Sequence, residues 1–322
     1  MHILITTGLT LPSITDAQLA EIQNAAGEDA TVTVAASRED VLATAPEIDV
    51  ILGAIDPELF AAAPNLQWVH AIASGVDFML FPEFKNSDIV LSGEKGLVGP
   101  HLADHAMALL LAHTRRVAEA LRDGPKSWSR RVEYRQEEIE LEGLTMGIVG
   151  FGGTGREIAK RALGFGMQVR AVDREAVPTT PEVPIVHTLG SLDTLLAASD
   201  VVAVCMPLTD ETRHMFNDDL FGKMKKGAII VNVTRGEIVD GDALVRALES
   251  GHLGGACLDV HHQEPLPPED PMWDFPNVVM TPHTAGASQK RAGRNIDRFV
   301  GNVRRFRRGQ PLIGLVDKEL GF

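Results

Sequence analysis

Arg235, Glu264 and His283 are the residues of this sequence whose types and positions suit chemistry on a small acid. Each comes shortly after an apolar run that predicts a strand, and open α/β sheets place their sites at the carboxyl ends of strands. An arginine can clamp a planar carboxylate with two parallel hydrogen bonds. A histidine exchanges a proton near neutral pH, and a carboxylate beside it orients the ring and favours its charged form. The set suits a 2-oxo or 2-hydroxy acid, with a nucleotide supplying the hydride.

A glycine-rich turn precedes these residues, and its parts stand in the order of a dinucleotide-binding unit. The run 146–149 predicts a buried strand, 150–155 fits G-x-G-x-x-G, a helical pattern follows, and the strand 168–172 ends at Asp173. The glycines that permit the tight turn, the approach of a pyrophosphate and close helix–strand packing are Gly150, Gly152 and Gly155. The helix N-terminus favours phosphate charge, and Asp173 can accept hydrogen bonds from the adenosine ribose. The sequence therefore predicts a nucleotide site.

Strand and helix signals alternate along both halves of the chain, which predicts parallel sheets covered on both faces. Residues 1–98 lack a glycine fingerprint and are predicted to form the substrate half. The last helix is expected to cross back and join them. We therefore expect an α/β protein of two Rossmann-like or flavodoxin-like parallel-sheet domains with a cleft between them. The discontinuous substrate domain comprises 1–98 plus 288–322, and the dinucleotide-binding domain comprises 99–287.

Further predictions concern two segments that follow the first half, a long helix and a charged stretch. A long helix opens at Gly99, and its broad apolar stripe runs from Leu102 to Val117. Such a stripe favours burial on more than one side, for instance between domains or subunits, and a homodimer is expected. The charged segment 122–142 is interpreted as an exposed linking loop.

Chain length, net charge, cysteine content and the lengths of apolar runs limit the classes of function to be considered. The 322 residues favour two domains, and the excess of 44 acidic over 30 basic residues, net −14, argues against nucleic acid or an anionic membrane as partner. Cys205 and Cys257 lie in apolar runs and are interpreted as reduced thiols, so a cytoplasmic protein is expected. The longest apolar run, 106–112, is too short to cross a bilayer.

The stretches around Arg235, Glu264 and His283, in this order behind the glycine turn, resemble the D-isomer-specific 2-hydroxyacid dehydrogenase family. The similarity covers nearly the whole chain and includes the segments 73–77, 102–105, 207–212 and 315–319. It implies an NAD-dependent enzyme that interconverts a small 2-oxo acid and its D-2-hydroxy acid. Glyoxylate/hydroxypyruvate reductase-like members are the expected relatives.

The resemblance also implies roles for single residues. His283 would be the acid/base, Glu264 would tune it, and Arg235 would anchor the substrate carboxylate together with backbone amides near Ser74 and Gly75. Asp259 and main-chain atoms near Val233 would fix the nicotinamide carboxamide. Motif and resemblance together give the expected cofactor-binding residues as Gly150, Gly152, Gly153, Thr154, Gly155, Asp173, Pro207, Val233, Asp259, His283 and Gly286. The adjacent His261 and His262 lack metal-ligand spacing, so no metal is expected.

Several alternatives stay open. NAD is favoured over NADP because the charge of Asp173 repels a 2′-phosphate, although Arg174 next to it is able to meet that phosphate. An NADP-preferring glyoxylate/hydroxypyruvate reductase is one alternative. A catalytically weak, nucleotide-sensing scaffold of the same fold is another. The sequence leaves the identity of the 2-oxo acid and the physiological direction undecided.

Overall fold

Short runs of aliphatic residues form the first of two parallel sheets. A computed structural model describes residues 1–322, which divide into one unit of Met1–Val98 with Ala287–Phe322 and another of Gly99–Gly286. The strands of the first unit are β1 (His2–Thr6), β2 (Thr31–Ala35), β3 (Val50–Leu52), β4 (Trp68–His70) and β5 (Val90–Ser92). They pair in parallel in the order β2-β1-β3-β4-β5, which is the flavodoxin-like order.

Side-chain caps mark where the first three helices of this unit begin. Its first four helices are α1 (Asp16–Ala26), α2 (Arg38–Thr44), α3 (Pro57–Ala62) and α4 (Pro82–Lys85). Thr15 and Gln18 form a capping box at the start of α1, and the side chains of Ser37 and Asp56 cap α2 and α3. Each cap satisfies a backbone amide that the first helical turn leaves without a partner.

The second unit contains the nucleotide fingerprint within a larger sheet. Its strands are β6 (Thr145–Val149), β7 (Gln168–Asp173), β8 (Val186–Thr188), β9 (Val201–Val204), β10 (Ala228–Asn232), β11 (Leu253–Leu258) and β12 (Val278–Met280). All pair in parallel, in the order β12-β11-β10-β9-β6-β7-β8. This is the doubly wound order of dinucleotide-binding folds with one strand added. The predicted fold class of two parallel-sheet α/β domains is confirmed.

Seven helices belong to the second unit, and they correct two expectations. They are α5 (Gly99–Thr114), α6 (Val117–Asp123), α7 (Arg131–Glu137), α8 (Gly153–Gly164), α9 (Leu192–Ala198), α10 (Asp218–Lys223) and α11 (Gly241–Glu249). The stripe predicted to reach Val117 stops earlier, because Arg116 adopts a left-handed backbone with φ 53°. The segment 122–142 is not a simple loop, since it contains the end of α6 and all of α7. Arg130 there lies 2.6–2.9 Å from three carboxylate groups, a set of contacts that composition alone does not reveal.

The broad apolar surface of α5 is buried within its own unit. The helix packs against α8 and against β10, β11 and β12, and Leu102, Ala106, Met107, Leu109 and Leu110 are buried there. The stripe therefore no longer argues for a second subunit, and the homodimer stays a prediction. None of the helices combines the length and apolarity that crossing a bilayer requires.

The last helix, α12 (Arg291–Arg307), belongs to the first unit although it is distant in sequence from its other elements. It packs against α1 and adds Ile296, Phe299 and Val303 to a core that contains Trp68 of β4. The rings of Phe299 and Trp68 lie 5.2 Å apart. Burial of these aromatic and aliphatic side chains is what holds the chain's C-terminal part on this sheet.

Two buried histidines make the free energy of unfolding depend on pH. Burial, with Arg298 as a second cause, lowers the pKa of His70 from 6.5 to about 3. Burial, with Arg116 as a second cause, lowers the pKa of His113 from 6.5 to about 4. Near pH 5 both rings are therefore neutral in the folded protein, whereas the unfolded chain holds a proton on each.

The stability from these histidines is complete above their unfolded pKa and is lost as the pH falls toward their folded values. We expect the free energy of unfolding to fall by about 1.4 kcal/mol per histidine and pH unit below about pH 6.5. Urea unfolding at about pH 7, 6 and 5 measures this pH dependence of the free energy of unfolding. His113→Gln should make the dependence on pH weaker, whereas His187→Gln, at an exposed histidine, should not. An identical slope in the wild type and His113→Gln would contradict the prediction.

Candidate active site

The glycine turn between β6 and α8 is shaped by close backbone contacts. Gly150 has φ 98°, and a Cβ placed on it would lie 2.7 Å from the carbonyl oxygen of Cys205. A Cβ on Gly155 would overlap the carbonyl oxygen of Gly150. Gly152 differs, because no atom lies within 4 Å of its Cβ position. Gly150 and Gly155 are thus needed by the fold itself, and Gly152 leaves open space above the turn.

The open space lies at the start of a helix, where an anion is favoured. Gly152 is the N-cap of α8 and supplies no side-chain hydrogen bond, and Gly153 and Thr154 begin the helix. Their amides and the helix dipole therefore face the turn without a capping side chain. Asp173 ends the next strand, and its Oδ2 accepts a hydrogen bond of 2.6 Å from the amide of Phe151. The turn and the acid fit the pyrophosphate and ribose of a dinucleotide.

Gly155 and Gly152 give a matched pair of variants. Gly155→Ala should lower the free energy of unfolding by about 3 kcal/mol, because the added methyl group has to displace backbone atoms. Gly152→Ala should fold normally, yet it should weaken NADH binding about tenfold or more because the methyl group fills the space for the pyrophosphate. Thermal unfolding and a fluorescence titration with NADH measure the two effects. Unchanged NADH affinity in Gly152→Ala would contradict this placement of the phosphates.

The loop after β10 holds Arg235 through the buried side chain of Asn232. The Asn232 Nδ2 donates to the carbonyl oxygen of Arg235 at 2.8 Å, and its Oδ1 accepts from the amide of Thr234 at 3.0 Å. Gly236 lies against the backbone of His261, so closely that a Cβ there would overlap it. The loop with Arg235 and the loop after β11 are therefore packed together. Asn232 was not among the predicted site residues, and its signal in the sequence is a polar residue at the end of an apolar strand.

Glu264 and His283, 19 positions apart in sequence, are brought into direct contact. The Nδ1 of His283 lies 2.7 Å from Oε2 of Glu264, and Oε1 of Glu264 accepts from the amide of His261 at 3.0 Å. Both side chains are partly exposed, 47% for His283 and 35% for Glu264. The contact uses Nδ1 of the imidazole, so Nε2 is the ring nitrogen that Glu264 does not engage. This is the arrangement of a histidine held by an orienting carboxylate.

Asp259 fixes the turn that carries His283. His283 has a left-handed φ of 52°, which is uncommon outside glycine and has to be held by its surroundings. The amide of His283 donates to the carbonyl oxygen of Asp259 at 2.7 Å, and the next two amides, of Thr284 and Ala285, donate to its carboxylate at 2.9 and 2.7 Å. Asp259 therefore holds the strained turn at three successive amides.

The carboxylate of Asp259 is itself buried among donors from another helix and strand. His105 of α5 and Thr281 contact its Oδ1 at 3.3 and 2.6 Å, and His105 Nε2 also lies 2.7 Å from Thr281 Oγ1. Burial alone would raise the pKa of Asp259, but the hydrogen bonds from His105, Thr281 and the two amides hold it below its ordinary value. His105 and Thr281 were not among the predicted site residues, because their proximity depends on the packing of α5 against β12.

The remaining predicted residues occupy four places, three in the second unit and one in the first. Val233 directly follows β10 and is buried, Pro207 lies in the exposed loop after β9, and Gly286 ends the second unit. His261 Nε2 lies 3.2 Å from the carbonyl oxygen of Thr281, and His262 lies 3.4 Å from Asp270, so each has a polar partner other than a metal. Ser74 and Gly75 follow β4 in the first unit.

Comparison with known proteins gives one family. The family model described as D-isomer specific 2-hydroxyacid dehydrogenase, NAD binding domain, matches residues 107–285. A glyoxylate reductase of Thermofilum pendens is 37% identical over 293 residues, covering 88% of this chain and 86% of that protein. A hydroxypyruvate reductase of Thermotoga maritima is 34% identical over 293 residues, covering 88% and 89%. A D-isomer specific 2-hydroxyacid dehydrogenase from Xanthobacter autotrophicus Py2, solved in complex with NADPH and MES, is 28% identical with a TM-score of 0.81, covering 99% of each chain. This chain belongs to the D-isomer specific 2-hydroxyacid dehydrogenase family.

Proposed function

We propose that the protein reduces a small 2-oxo acid of the glyoxylate or hydroxypyruvate class to its D-2-hydroxy acid, reversibly and with NADH. The observation that carries the proposal is the contact of 2.7 Å between His283 and Glu264, beside the loop that holds Arg235. An acid/base and a carboxylate anchor are the two functions that this reaction requires of a protein. The relatives named glyoxylate reductase and hydroxypyruvate reductase support the choice of substrate class.

Each residue of the site has a distinct task in this proposal. When bound, a nicotinamide dinucleotide supplies the hydride for C2 of the oxo acid. His283 donates a proton from Nε2 to the carbonyl oxygen during reduction and takes it back during oxidation. Glu264 holds the ring through Nδ1 and stabilises its charged form. Arg235 binds the substrate carboxylate with its fork of N–H groups, aided by amides near Ser74 and Gly75.

The dinucleotide would be held by this chain's own backbone and two acids. Gly150, Gly152 and the amides that begin α8 would bind the pyrophosphate, and Asp173 would bind the adenosine ribose. Asp259 and the backbone near Val233 would orient the carboxamide. Because Asp259 also fixes the His283 turn, one residue would set both the cofactor ring and the acid/base.

The preference for NADH over NADPH is proposed on the charge of Asp173 at the end of β7. Asp173→Ser should lower the ratio of kcat/KM for NADH to that for NADPH by about tenfold to a hundredfold, because a carboxylate repels a 2′-phosphate. Activity with NADH should persist, since the glycine turn is unchanged. Steady-state kinetics with both cofactors measure the ratio. A wild type that prefers NADPH, the cofactor in the complex of the Xanthobacter relative, would overturn the proposal.

The experiment that tests the function is steady-state reduction of glyoxylate, hydroxypyruvate, pyruvate and a larger 2-oxo acid with each reduced cofactor. We expect saturable oxidation of NADH with at least one of the small acids and a product of D configuration where the product is chiral. Tight NADH binding without turnover of any acid would favour the nucleotide-sensing scaffold instead.

A further inference from the structure

A carboxylate outside the proposed active site is buried in the first unit and enclosed by donors from a distant helix. The side chain of Glu94 is 0% exposed. The Nε of Arg291 lies 3.0 and 3.1 Å from its two oxygens, the Nη2 of Arg291 also donates to Oε2, and Asn295 Nδ2 donates to Oε1 at 3.2 Å. Arg291 and Asn295 are one helical turn apart on α12.

Stability alone does not account for this buried pair. Taking a carboxylate and a guanidinium out of water costs several kcal/mol, and well-packed apolar residues of similar volume are often as stable or more so. A buried ion pair does, however, define one geometry, because the planar fork of an arginine matches a carboxylate in few orientations. The pair is therefore suited to holding a backbone segment in place.

The segment that it holds is the turn after β5. Arg298, one further turn along α12, donates through Nη1 to the carbonyl oxygens of Gly93 at 3.1 Å and Lys95 at 2.7 Å. The helix thus binds the side chain of Glu94 and the backbone on both sides of it. The amide of Gly93 is also bound, to the carbonyl oxygen of Gly314 at 2.9 Å.

The turn after β5 packs against the loop that follows β4. A Cβ placed on Gly93 would lie 3.3 Å from both the Cβ and the carbonyl oxygen of Ala71, and 3.4 Å from the carbonyl oxygen of Ala73. The amide of Ala71 donates to the carbonyl oxygen of Ser92 at 2.8 Å. The backbone of residues 71–73 therefore rests on Gly93, directly before the Ser74 and Gly75 amides that are proposed to bind the substrate carboxylate.

We propose that Glu94 is a positioning residue for the substrate. Its contacts with α12 hold Gly93 in place, Gly93 supports residues 71–73, and the amides of Ser74 and Gly75 are thereby held where a carboxylate can bind them. The proposal rests on the proposed function. Under it, the Glu94–Arg291 pair affects the affinity for substrate and not the affinity for cofactor or proton transfer.

Glu94→Gln tests the inference because it keeps the shape of the side chain and removes its charge. We expect the KM for the best 2-oxo acid to rise about tenfold, while kcat and the KM for NADH change much less. Hydrogen exchange of the amides of residues 71–76 should become faster. Gly93→Ala, which presses on residues 71–73 without changing any charge, should raise the same KM and keeps the test open if Glu94→Gln does not fold.

The matched control is Asp29→Asn, which removes a carboxylate 3.2 Å from Arg307 near the other end of α12. It should change neither the KM nor the exchange of residues 71–76. A folded Glu94→Gln with wild-type KM and exchange would overturn the inference, and so would equal rises in the KM for acid and NADH. If Glu94→Gln does not fold, wild-type KM and exchange in Gly93→Ala overturn it. If the wild type reduces no oxo acid, the proposed function fails, and the exchange measurement still decides whether Glu94 holds the loop.

Discussion

His283→Ala is expected to lower kcat for 2-oxo acid reduction by about two to four orders of magnitude, because it removes the group proposed to protonate the carbonyl oxygen. The loss should occur at every pH, since the variant lacks the ring that contacts Glu264. Affinity for NADH should change little, because the glycine turn before α8 and Asp173 at the end of β7 belong to other elements than the turn that carries His283. Steady-state kinetics and an NADH titration on the same preparation separate the two effects.

Glu264→Gln is the matched variant for the histidine, since it preserves the shape of the contact and removes the charge. It should reduce kcat less than His283→Ala, because the imidazole is kept and loses only the charge of the carboxylate that orients it through Nδ1. His187→Ala, at an exposed histidine, should leave kcat unaltered. A His283→Ala enzyme that retains a tenth or more of wild-type kcat would show that another group supplies the proton.

Arg235→Ala should decrease kcat/KM for the oxo acid by about a hundredfold to a thousandfold, corresponding to about 3–4 kcal/mol of lost transition-state stabilisation. The reason is the loss of the two-point contact by which Arg235 is proposed to bind and orient the substrate carboxylate. Arg235→Lys should recover only part of the loss, because an ammonium is a point charge without the planar fork.

The same variants can be tested without turnover. Inhibition by oxamate, a substrate analogue with the same carboxylate, should weaken in parallel with the rise in KM for Arg235→Ala. Arg246→Ala, which removes an arginine paired with Asp218 on the surface of the same unit, is the control and should leave both constants unaltered. Unchanged oxamate inhibition in Arg235→Ala would assign the carboxylate to a different anchor.

The nucleotide-binding turn was predictable because its information is local. A strand, three glycines, a helix and an acid follow one another within residues 146–173, and their roles depend on backbone freedom and helix polarity rather than on distant contacts. The alternation of strands and helices likewise predicts parallel sheets, since hydrophobic periodicity is a property of neighbouring residues. Helix ends were less predictable: the left-handed backbone of Arg116 has no sequence signal comparable to a glycine.

The sequence by itself determined the two parallel-sheet domains and the glycine turn, and through resemblance it predicted Arg235, Glu264 and His283 as the catalytic set. Only the tertiary structure decided which residues distant in sequence meet. His105 and Thr281, 176 positions apart, meet at Asp259, and Glu94 and Arg291, 197 positions apart, meet at the turn after β5. Such contacts depend on how a helix packs on a sheet. Hydrophobic periodicity along the chain predicts which face of an element is buried, but not which residues that face contacts.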